Sequence, residues 1–582
     1  MAKLSPGAMA HGRRHCTAHS GATMLGVAMK HFASADTFLD VSDWNFRMGR
    51  PLANEAFLRA LLQHGHFERY TFFAPDMAAA HAWQKKLISL VGDATTRQRA
   101  QVQPHLALRA AAAREPYQVF HQGDFTYFMP HLCELRRSLA QARWPLCGVT
   151  HSLDSLQMRF LQLSLCGMAA CDAIVCTSQA AQTLVRAKLA EVSAGLGQPA
   201  SAPVMTPVIP LGLADEAFVA PDSDAQAARR AARTALRLPP EATVLLSVGR
   251  LSLRGKADWA PIFEMLHDMK REGALDQVVW VIAGGSAPEG LALLQTLVAR
   301  HELQQQVRLL PNFAPAVRPR LYAAADIYVS LVDNLQETFG LSVIEAMAAG
   351  LPVVASDYSG YRDSVVHEQT GLLVPSYNLP EAPSAMRHTL GLLDPAMVRL
   401  LAAQMTAVSL SHARQALTAL IDNPELRARL ATAGRRRAER YRYAAVIAAY
   451  EALWEEQASM AQAQPWQQMP AALAPLSADL RAYAGYATTT LDAQSMLRMG
   501  PRAKALLRDP NAASRYEDIL PLLDLKVERA LLEAVRRGRT SVHNLRSLGR
   551  QAGAQSNGDV DFQLGWLLKH GALQLAQMGG GR

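Results

Sequence analysis

The sequence predicts an α/β protein in which two parallel sheets, each wrapped by helices, face each other. Short buried runs alternate with helical segments along the first three quarters of the chain. The 582 residues are enough for three or four domains with ample core. Half of the residues are hydrophobic and 19% are charged, which is typical of a globular rather than a disordered chain.

Apolar runs predict the strands of both sheets. Those of the first half are 69–75, 117–123, 145–151, 172–178 and 207–213. Those of the second half are 243–249, 278–285, 307–313, 326–331, 352–357 and 371–375. Because ligands bind at the carboxyl ends of parallel strands, we expect the functional site in the cleft between the two sheets.

We divide the chain into six predicted segments. They are a loose N-terminal extension (1–27), a first Rossmann-like domain (28–213), a proline-marked connector (214–240), a second Rossmann-like domain (241–396), terminal helices (397–465) and a helical accessory domain (466–582).

The most informative stretch is NLQETFGLSVIEAMAAG at 334–350. Glu337 and Glu345 stand eight residues apart across a predicted loop-to-helix junction, so they could hold opposite ends of one extended polar ligand. The helix start offers unpaired N–H groups to a phosphate, and Gly340 lets the backbone come close to it. Gly350 and Pro352 end the helix.

This stretch and its continuation to residue 375 (ETFGLSVIEAMAAGLPVVASDYSGYRDSVVHEQTGLLVP, 337–375) resemble the donor-binding core of the GT-B glycosyltransferases, of the retaining family 4 type with its E-x7-E signature. The resemblance implies a GT-B fold, to which the sequence adds a small, mostly α C-terminal domain. It also implies that Glu337 binds the donor sugar's hydroxyls and Glu345 the nucleotide's ribose. Phe339, Gly340 and Leu341 are the donor-binding residues between them.

A second element of the resemblance lies upstream. The run 243–250 ends in Gly249-Arg250, and the family usually has a lysine five or six positions later. Both cations would face the donor diphosphate, Arg250 as a two-pronged donor and Lys256 as a point charge. The commoner position is Gly255 here, so Arg254 competes with Lys256, which we favour.

In the first half, the resemblance assigns His151, at the end of a predicted strand, to the transferring sugar. Gly49 and Arg50 precede a predicted helix at 52–65 and take the place of a glycine-bearing loop near the donor phosphate, although the usual paired glycines are absent. His121 and Asp124 lie at another strand end and are weaker candidates. Ser178 is interpreted as a helix N-cap rather than a nucleophile.

The implied reaction is transfer with retention, in which the leaving diphosphate itself deprotonates the acceptor. Glu337, His151, Arg250 and Lys256 form the predicted catalytic set. Asn312 and the loop 359–362 are expected near the donor base. No D-x-D stands near a strand end, so we expect no metal, and no cofactor beyond a nucleotide-diphosphate sugar as co-substrate.

Six cysteines lie in no metal-ligand spacing, which favours buried thiols in a reducing cytoplasm. No apolar run reaches the length of a membrane span, and no signal peptide is expected. We therefore expect a cytoplasmic protein. Peripheral contact with the inner membrane through the arginine-rich stretch 427–440 is an alternative to a solvated helical face.

The predicted accessory domain opens with a proline-marked linker and carries 15 Lys and Arg against 10 Asp and Glu, a net +5 of the chain's +9. Predicted helices at 516–537, 541–552 and 560–576 loosely resemble a winged helix, with Arg546 and Arg550 on the middle one. A module that binds a protein acceptor or another subunit explains the same residues and is preferred to nucleic-acid binding.

Three functional hypotheses remain open. A glycosyltransferase leads, with glycan, lipid, small molecule and protein all possible as acceptor. A GT-B nucleotide-sugar epimerase would need no separate acceptor. A regulator would sense a nucleotide-sugar and bind nucleic acid through its basic C-terminal domain.

Overall fold

A computed structural model describes residues 30–36, 38, 49–90, 94–139, 142–154, 157–197, 204–218, 225–379, 381, 383–386, 388–463, 485–538 and 540–576. The predicted N-terminal extension (1–27) and the predicted proline-marked linker (465–480) lie outside these residues.

The first unit is a sheet of six parallel strands in the order β3-β2-β1-β4-β5-β6. Its strands are β1 (His31–Ser34), β2 (Arg69–Ala74), β3 (Ala100–Pro104), β4 (Val119–Gln122), β5 (Leu146–Val149) and β6 (Ala173–Val175). Its helices are α1 (Gly49–His64), α2 (Met77–Leu90), α3 (Ala94–Arg99), α4 (Leu108–Arg114), α5 (Met129–Arg137), α6 (Gln157–Leu165) and α7 (Gln179–Gly195).

The second unit repeats this arrangement, in the order β12-β11-β10-β7-β8-β9. Its strands are β7 (Thr243–Val248), β8 (Val278–Gly284), β9 (Val307–Pro311), β10 (Ile327–Ser330), β11 (Val353–Ser356) and β12 (Leu372–Val374). Its helices are α8 (Ala225–Ala235), α9 (Trp259–Arg271), α10 (Pro288–Arg300), α11 (Arg318–Ala324), α12 (Leu341–Ala348) and α13 (Tyr361–Ser364).

Each sheet therefore has a point where the strand order reverses, between β1 and β4 in the first and between β7 and β10 in the second. At such a point the loops leave in opposite directions and open a crevice at the carboxyl ends of the strands. The two units thus offer one crevice each, and the expected pair of parallel sheets is confirmed.

Further helices follow the second sheet. An antiparallel pair, β13 (Ser376–Asn378) with β14 (Thr406–Val408), encloses α14 (Pro395–Gln404), and α15 (Leu410–Asp422) and α16 (Pro424–Ala438) come next. The last one, α17 (Tyr443–Ala463), crosses back to the first sheet, where Trp454 and Tyr450 pack in one cluster with Phe32. This apolar burial connects the end of the second unit to the core of the first.

The strand expectations were wrong at three places in the first unit. β1 and β3 were not predicted, whereas 207–213 forms isolated bridges from Val208 to Cys176 and from Leu213 to Arg442 rather than a strand. The central strand β1 was not predicted because it has only four residues and begins with a histidine. The polar atom Nε2 of His31 is satisfied inside the sheet, 2.9 Å from Thr71 Oγ1.

The predicted connector 214–240 contains α8, which packs on the second unit. Arg233 donates to Asp326 Oδ2 at 2.6 Å, and both side chains are buried. Asp326 also accepts from the Val244 N–H at 2.7 Å. The carboxylate therefore joins α8 to the strands β7 and β10, and α8 belongs structurally to the second unit.

The described part of the accessory domain has its own core, formed by α18 (Ala503–Arg508), α19 (Leu525–Arg536), α20 (Val542–Gln551), α21 (Asn557–Lys569) and the antiparallel pair β15 (Leu497–Met499) with β16 (Leu573–Leu575). The predicted helix at 516–537 begins only at Leu525, because Pro521 lies in the 3₁₀ segment Glu517–Leu522 and Asp524 caps α19. Residues 573–575 are a strand, not the end of a helix.

This domain touches the first unit at α2, where Asp518 accepts from the Met77 N–H at 2.9 Å. On its middle helix, Arg546 donates two hydrogen bonds to Asp561, at 2.7 and 2.8 Å. Arg550 is exposed. One of the two arginines singled out for nucleic-acid contact is thus held by a carboxylate of the same domain.

Five cysteines lie among the described residues, and all are buried and outside any disulfide, which agrees with the expected buried thiols: Cys133, Cys147, Cys166, Cys171 and Cys176. Of the helices that the structure describes, none combines the length and the apolar character needed to cross a bilayer.

Candidate functional site

A pocket opens at the crevice of the second sheet, where β7 and β10 end. Gly249, Arg250, Lys256 and Ser330 are among its lining residues. Lys256 takes the position that the sequence left open between two cations, because it lines the pocket whereas Arg254 is exposed. Two cations at the carboxyl ends of parallel strands suit a phosphate-bearing ligand.

Glu337 lies in the loop after β10 and accepts a hydrogen bond from the Lys256 ammonium. The Tyr361 hydroxyl also donates to Glu337, at 3.3 Å, and is itself 2.7 Å from Ser330 Oγ. Burial by itself would raise the pKa of Glu337, but the charge and hydrogen bond of Lys256 outweigh it and lower that pKa. The carboxylate is therefore ionised and fixed in place at neutral pH.

Arg250 is held by its own loop, after β7, and by the loop that carries Glu337. Its guanidinium donates to the Gly255 carbonyl at 2.9 Å and to the Gln336 side chain. Burial, and next the charge of Arg399, lower the pKa of Arg250. Since a half-buried cation near a second cation is incompletely solvated, an anionic ligand at this point would be bound favourably.

Glu345 lies on α12 and has partners of its own. Arg318 Nη2 and the Tyr322 hydroxyl both donate to Glu345 Oε2, each at 2.6 Å. Burial, and then the nearby Glu345 charge, raise the pKa of Tyr322 well above its usual range, so the phenol keeps its proton. Glu345, the fifth residue of α12, is thus an oriented carboxylate about one helical turn from the loop that carries Glu337.

Gly340 is required by the backbone between these two acids. It is the N-cap of α12 with φ +94°, and a Cβ built there would lie 2.1 Å from the Tyr361 ring. Phe339 before it is buried, and Leu341 after it is the first residue of α12. Close packing on Tyr361 brings the helix start against the residue that bonds Glu337.

Asn312 follows β9 at φ +49°. Its side chain accepts from the Ser286 N–H at 3.0 Å and donates to the Ser286 carbonyl at 3.1 Å. The structure therefore shows Asn312 joining two loops of the second unit, and its predicted contact with a donor stays a prediction.

A second pocket opens at the crevice of the first sheet. His151 lines it, with Nε2 3.0 Å from Asn54 Oδ1, and burial lowers the pKa of His151 to about 4. His121 lines it as well. Arg50 donates to Asp124 at 2.9 Å, and Gly49 is the first residue of α1, so the helix starts earlier than the predicted 52–65.

The two crevices are joined by hydrogen bonds between the units. Thr338 donates its hydroxyl to the His151 carbonyl, and Ser178 donates its own to the Thr338 carbonyl at 2.7 Å. Ser178 also caps α7 by accepting from the Ala181 N–H at 3.1 Å, which confirms the predicted cap. The residue after Glu337 is thus held from the opposite side of the cleft.

Sequence reasoning missed several partners of the predicted residues. Tyr361 and Gln336 hold Glu337 and Arg250, while Arg318 and Tyr322 hold Glu345. Arg318 and Tyr322 are four residues apart and lie on one face of the same helix. This spacing could have indicated from the sequence that both side chains contact one common group. Tyr361 and Gln336 gave no such signal, because their contacts depend on how distant loops meet.

Part of the chain is similar in sequence to known proteins. Residues 228–388 match the family described as Glycosyl transferases group 1. The D-inositol 3-phosphate glycosyltransferase of Jonesia denitrificans is 34% identical over 182 residues, 31% of this chain and 41% of its own length. That of Thermobispora bispora is 35% identical over 158 residues, covering 26% of this chain and 36% of its own length.

Among solved structures, the sucrose-phosphate synthase of Thermosynechococcus elongatus is 20% identical, with a TM-score of 0.50 over 74% of this chain and all of its own. The chain has the GT-B fold, as predicted. Its residues 228–388 form a glycosyl transferases group 1 domain. The chain spans about two fifths or less of the length of the first curated relatives it matches.

Proposed function

We propose that this protein is a glycosyltransferase that moves a sugar from a nucleoside diphosphate donor to an acceptor with retention of configuration and without a metal. One observation carries the proposal: Arg250 and Lys256 line the crevice of the second sheet, and Lys256 is bonded to Glu337 there. Two cations and a fixed carboxylate within one crevice suit a diphosphate joined to a polyhydroxylated sugar.

In this assignment the two cations bind the diphosphate, and Glu337 accepts hydrogen bonds from the sugar. Glu345, oriented by Arg318 and Tyr322, would accept from the ribose of the nucleotide. Because Glu337 is ionised, it acts as an acceptor for hydroxyls rather than as a proton donor. The family match over 228–388 covers Arg250, Lys256, Glu337 and Glu345.

Retention follows if the acceptor approaches on the face that the diphosphate leaves. The bond from C1 to the diphosphate oxygen breaks, the bond from C1 to the acceptor oxygen forms, and the acceptor proton passes to the departing diphosphate. Arg250 and Lys256 stabilise the charge that grows on the diphosphate, which is the role of a metal in other transferases. The enzyme otherwise orients the reactants and excludes water from the cleft.

His151 lies across the cleft from this crevice, and its carbonyl is bonded to Thr338. Its neutral imidazole at pH 7 can exchange a hydrogen bond with the sugar or the acceptor. The separate pocket beside it favours transfer over epimerisation of a nucleotide-sugar, since an epimerase needs no second substrate site. We place the reaction in the cytoplasm.

The test is a donor panel of UDP-, GDP-, ADP- and TDP-sugars, measured by thermal shift and by slow donor hydrolysis in EDTA. We expect one donor to raise Tm and to release its nucleoside diphosphate. Arg250→Ala, Glu337→Gln and Glu345→Gln should each lose at least tenfold in hydrolysis, about 1.4 kcal/mol of transition-state stabilisation.

Matched controls come from the same elements. Arg254→Ala removes an exposed arginine of the Lys256 loop, and Glu264→Gln an exposed glutamate of α9. Both should keep wild-type hydrolysis. Absence of a response to every donor would refute the proposal, and hydrolysis that requires a divalent cation would refute its metal-free part.

A further inference from the structure

The chain leaves the second sheet after β12, forms α14 and returns to the point where it left. The Ser409 N–H donates to the Pro375 carbonyl at 2.9 Å, and β13 pairs antiparallel with β14 beside this bond. Ser376 Oγ also donates to the Asp357 carbonyl at 2.7 Å, at the end of β11. The base of this excursion therefore belongs to the second unit, and α14 lies beyond it.

The C-terminal end of α14 is fixed beside the loop that follows β7. Gln404 Nε2 donates to Asp258 Oδ2 at 2.8 Å. Asp258 lies two residues after Lys256 and caps α9 by accepting from the Ala260 N–H at 3.0 Å. α14 is thus attached to the second unit next to the cations of its crevice.

The middle of α14 contacts the first unit. Arg399 Nη1 donates to Asp154 Oδ2 at 2.7 Å, and Asp154 lies three residues after His151 in the loop that follows β5. Only 5% of the Asp154 side chain and 20% of the Arg399 side chain are exposed. Because both charges are largely removed from water, the pair contributes more than a surface salt bridge, and loss of one partner leaves a poorly solvated charge.

The second unit therefore holds the loop after β5 at two points. Thr338 donates to the His151 carbonyl at the start of this loop, and Arg399 donates to Asp154 three residues later. A segment bonded at both ends has few alternative conformations. The two bonds together set the position of His151 relative to the crevice of the second sheet.

Both members of the pair also act electrostatically on that crevice. Burial, and next the charge of Arg399, lower the pKa of Arg250, whereas the charge of Asp154 opposes this change. While Arg399 and Asp154 are paired, their opposite charges largely cancel at Arg250. The pair thus fixes geometry and adds little net charge to the site of the two cations.

We propose that Arg399 and Asp154 are positioning residues, whose ion pair holds α14 against the loop after β5 and so keeps His151 in place opposite the donor crevice. Neither side chain contacts the substrate in this assignment, since both act through the loop. That the pair holds the loop is a statement about the two units alone, whereas its effect on turnover rests on the proposed function.

The test compares two double variants that leave the net charge beside Arg250 unchanged. Arg399→Met with Asp154→Ala removes the pair, and Arg399→Glu with Asp154→Arg restores it with the charges exchanged. Hydrogen exchange of the full chain without ligand, measured by mass spectrometry, reports on the loop. We expect the amides of 151–154 to exchange about tenfold faster in the first variant and near the wild-type rate in the second.

Turnover is measured as slow hydrolysis of the UDP-, GDP-, ADP- and TDP-sugars. We expect kcat to fall about tenfold when the pair is removed and to recover to within about threefold of the wild type when it is exchanged. The Kd of each corresponding nucleoside diphosphate, measured by calorimetry, should change by less than about twofold, because Arg250 and Lys256 are intact. Loss of the fold, or of a direct phosphate contact, would instead weaken nucleotide binding.

The matched control is an ion pair that lies within one unit. Arg414 on α15 donates to Glu272 at the end of α9, at 3.0 Å and at the surface. Arg414→Met with Glu272→Ala removes the same two charge types without touching the contact between the units. This variant should match the wild type in the exchange of 151–154 and in hydrolysis.

The proposal is overturned if removal of the pair leaves the exchange of 151–154 unchanged, or if the exchanged pair behaves like the removed one. It is also overturned if the loop is released while kcat stays at the wild-type value, or if kcat and nucleotide affinity fall together. Absence of hydrolysis with every donor refutes the proposed function instead, and the exchange measurement then still decides whether the pair holds the loop.

Discussion

The Thr338 hydroxyl donates a hydrogen bond to the backbone carbonyl of His151, across the cleft between the two sheets. Thr338 directly follows Glu337, and its own carbonyl accepts from Ser178 at 2.7 Å. The loop that carries Glu337 is therefore held from the second unit through Lys256 and from the first unit through Thr338. Separation of the units would free one side of the predicted catalytic carboxylate.

Thr338→Val keeps the shape of this side chain and removes its hydroxyl. We expect the free energy of unfolding to fall by about 1 kcal/mol, because the His151 carbonyl loses a buried donor. Urea unfolding followed by tryptophan fluorescence measures it. Thr183→Val on α7 is the control: its hydroxyl is exposed and bonds only Gln179 of the same helix, so its effect should stay within about 0.5 kcal/mol. Equal losses in both variants would contradict the role of Thr338.

Gly340→Ala tests the close approach of the α12 start to Tyr361. The backbone φ of +94° is strained for alanine, and the added methyl group would lie 2.1 Å from the Tyr361 ring. We therefore expect a loss of about 3 kcal/mol in unfolding free energy. Gly350→Ala is a matched comparison, since Gly350 also has a positive φ (+81°) but its added methyl group would meet nothing within 4 Å. It should lose only about 1 kcal/mol. A ranking in the opposite order would show that Tyr361 yields to the methyl group.

Lys256→Met removes the cation that lowers the pKa of Glu337. In the wild type that pKa is depressed, so the stabilising contribution is present above the usual glutamate range and is lost as pH falls through the folded-state pKa. In the variant, burial dominates and the pKa of Glu337 rises above its usual value. The free energy of unfolding of the variant should be about 3 kcal/mol lower than that of the wild type at pH 7, and the difference should be smaller at pH 4.

Thermal unfolding of this variant at pH 7 and pH 4 measures the difference. Lys270→Met, at the last turn of α9, is the control, because Lys270 bonds only a backbone carbonyl at the surface. A destabilisation of Lys256→Met that is the same at both pH values would argue against the ion pair.

The pKa of Asp333, in the loop just before Glu337, is shifted in the opposite direction to that of Glu337. Burial raises the pKa of Asp333 to about 7, and its Oδ2 accepts only weakly from the Asp258 N–H, at 3.2 Å. Because the folded state holds this proton more tightly than the unfolded state, the carboxyl group costs stability as pH rises from about 4 to above 7. Asp333→Asn should remove that cost.

Asp333→Asn is therefore expected to be more stable than the wild type by at least about 1 kcal/mol at pH 8, with little difference at pH 4. Urea unfolding across this pH range measures it. Asp276→Asn, at an exposed turn before β8, should show no such trend. If the advantage of Asp333→Asn did not grow with pH, the carboxyl group would not be titrating as stated.

Local pattern was enough to place much of the fold. Apolar runs that alternate with helical segments predicted β2 and β4 to β12. Gly340 before α12, and Gly350 and Pro352 after it, predicted the bounds of this helix and the strand that follows. The same pattern failed for β1, whose four residues are buried at the centre of a sheet but include a histidine and a serine. Its place depends on pairing with β2 and β4, which are distant in the chain.

By itself the sequence determined the two-sheet architecture, because hydrophobic period and turn residues are local properties. Its resemblance to a known family singled out Glu337, Glu345 and Arg250 as candidates, and it left Lys256 and Arg254 in competition. Only the tertiary structure decided between Lys256 and Arg254, brought Tyr361 to Glu337 and Arg318 to Glu345, and joined Thr338 to His151. Those contacts link residues tens to hundreds of positions apart. They exist because apolar burial and sheet pairing fix where the loops end, and no local pattern encodes that distance.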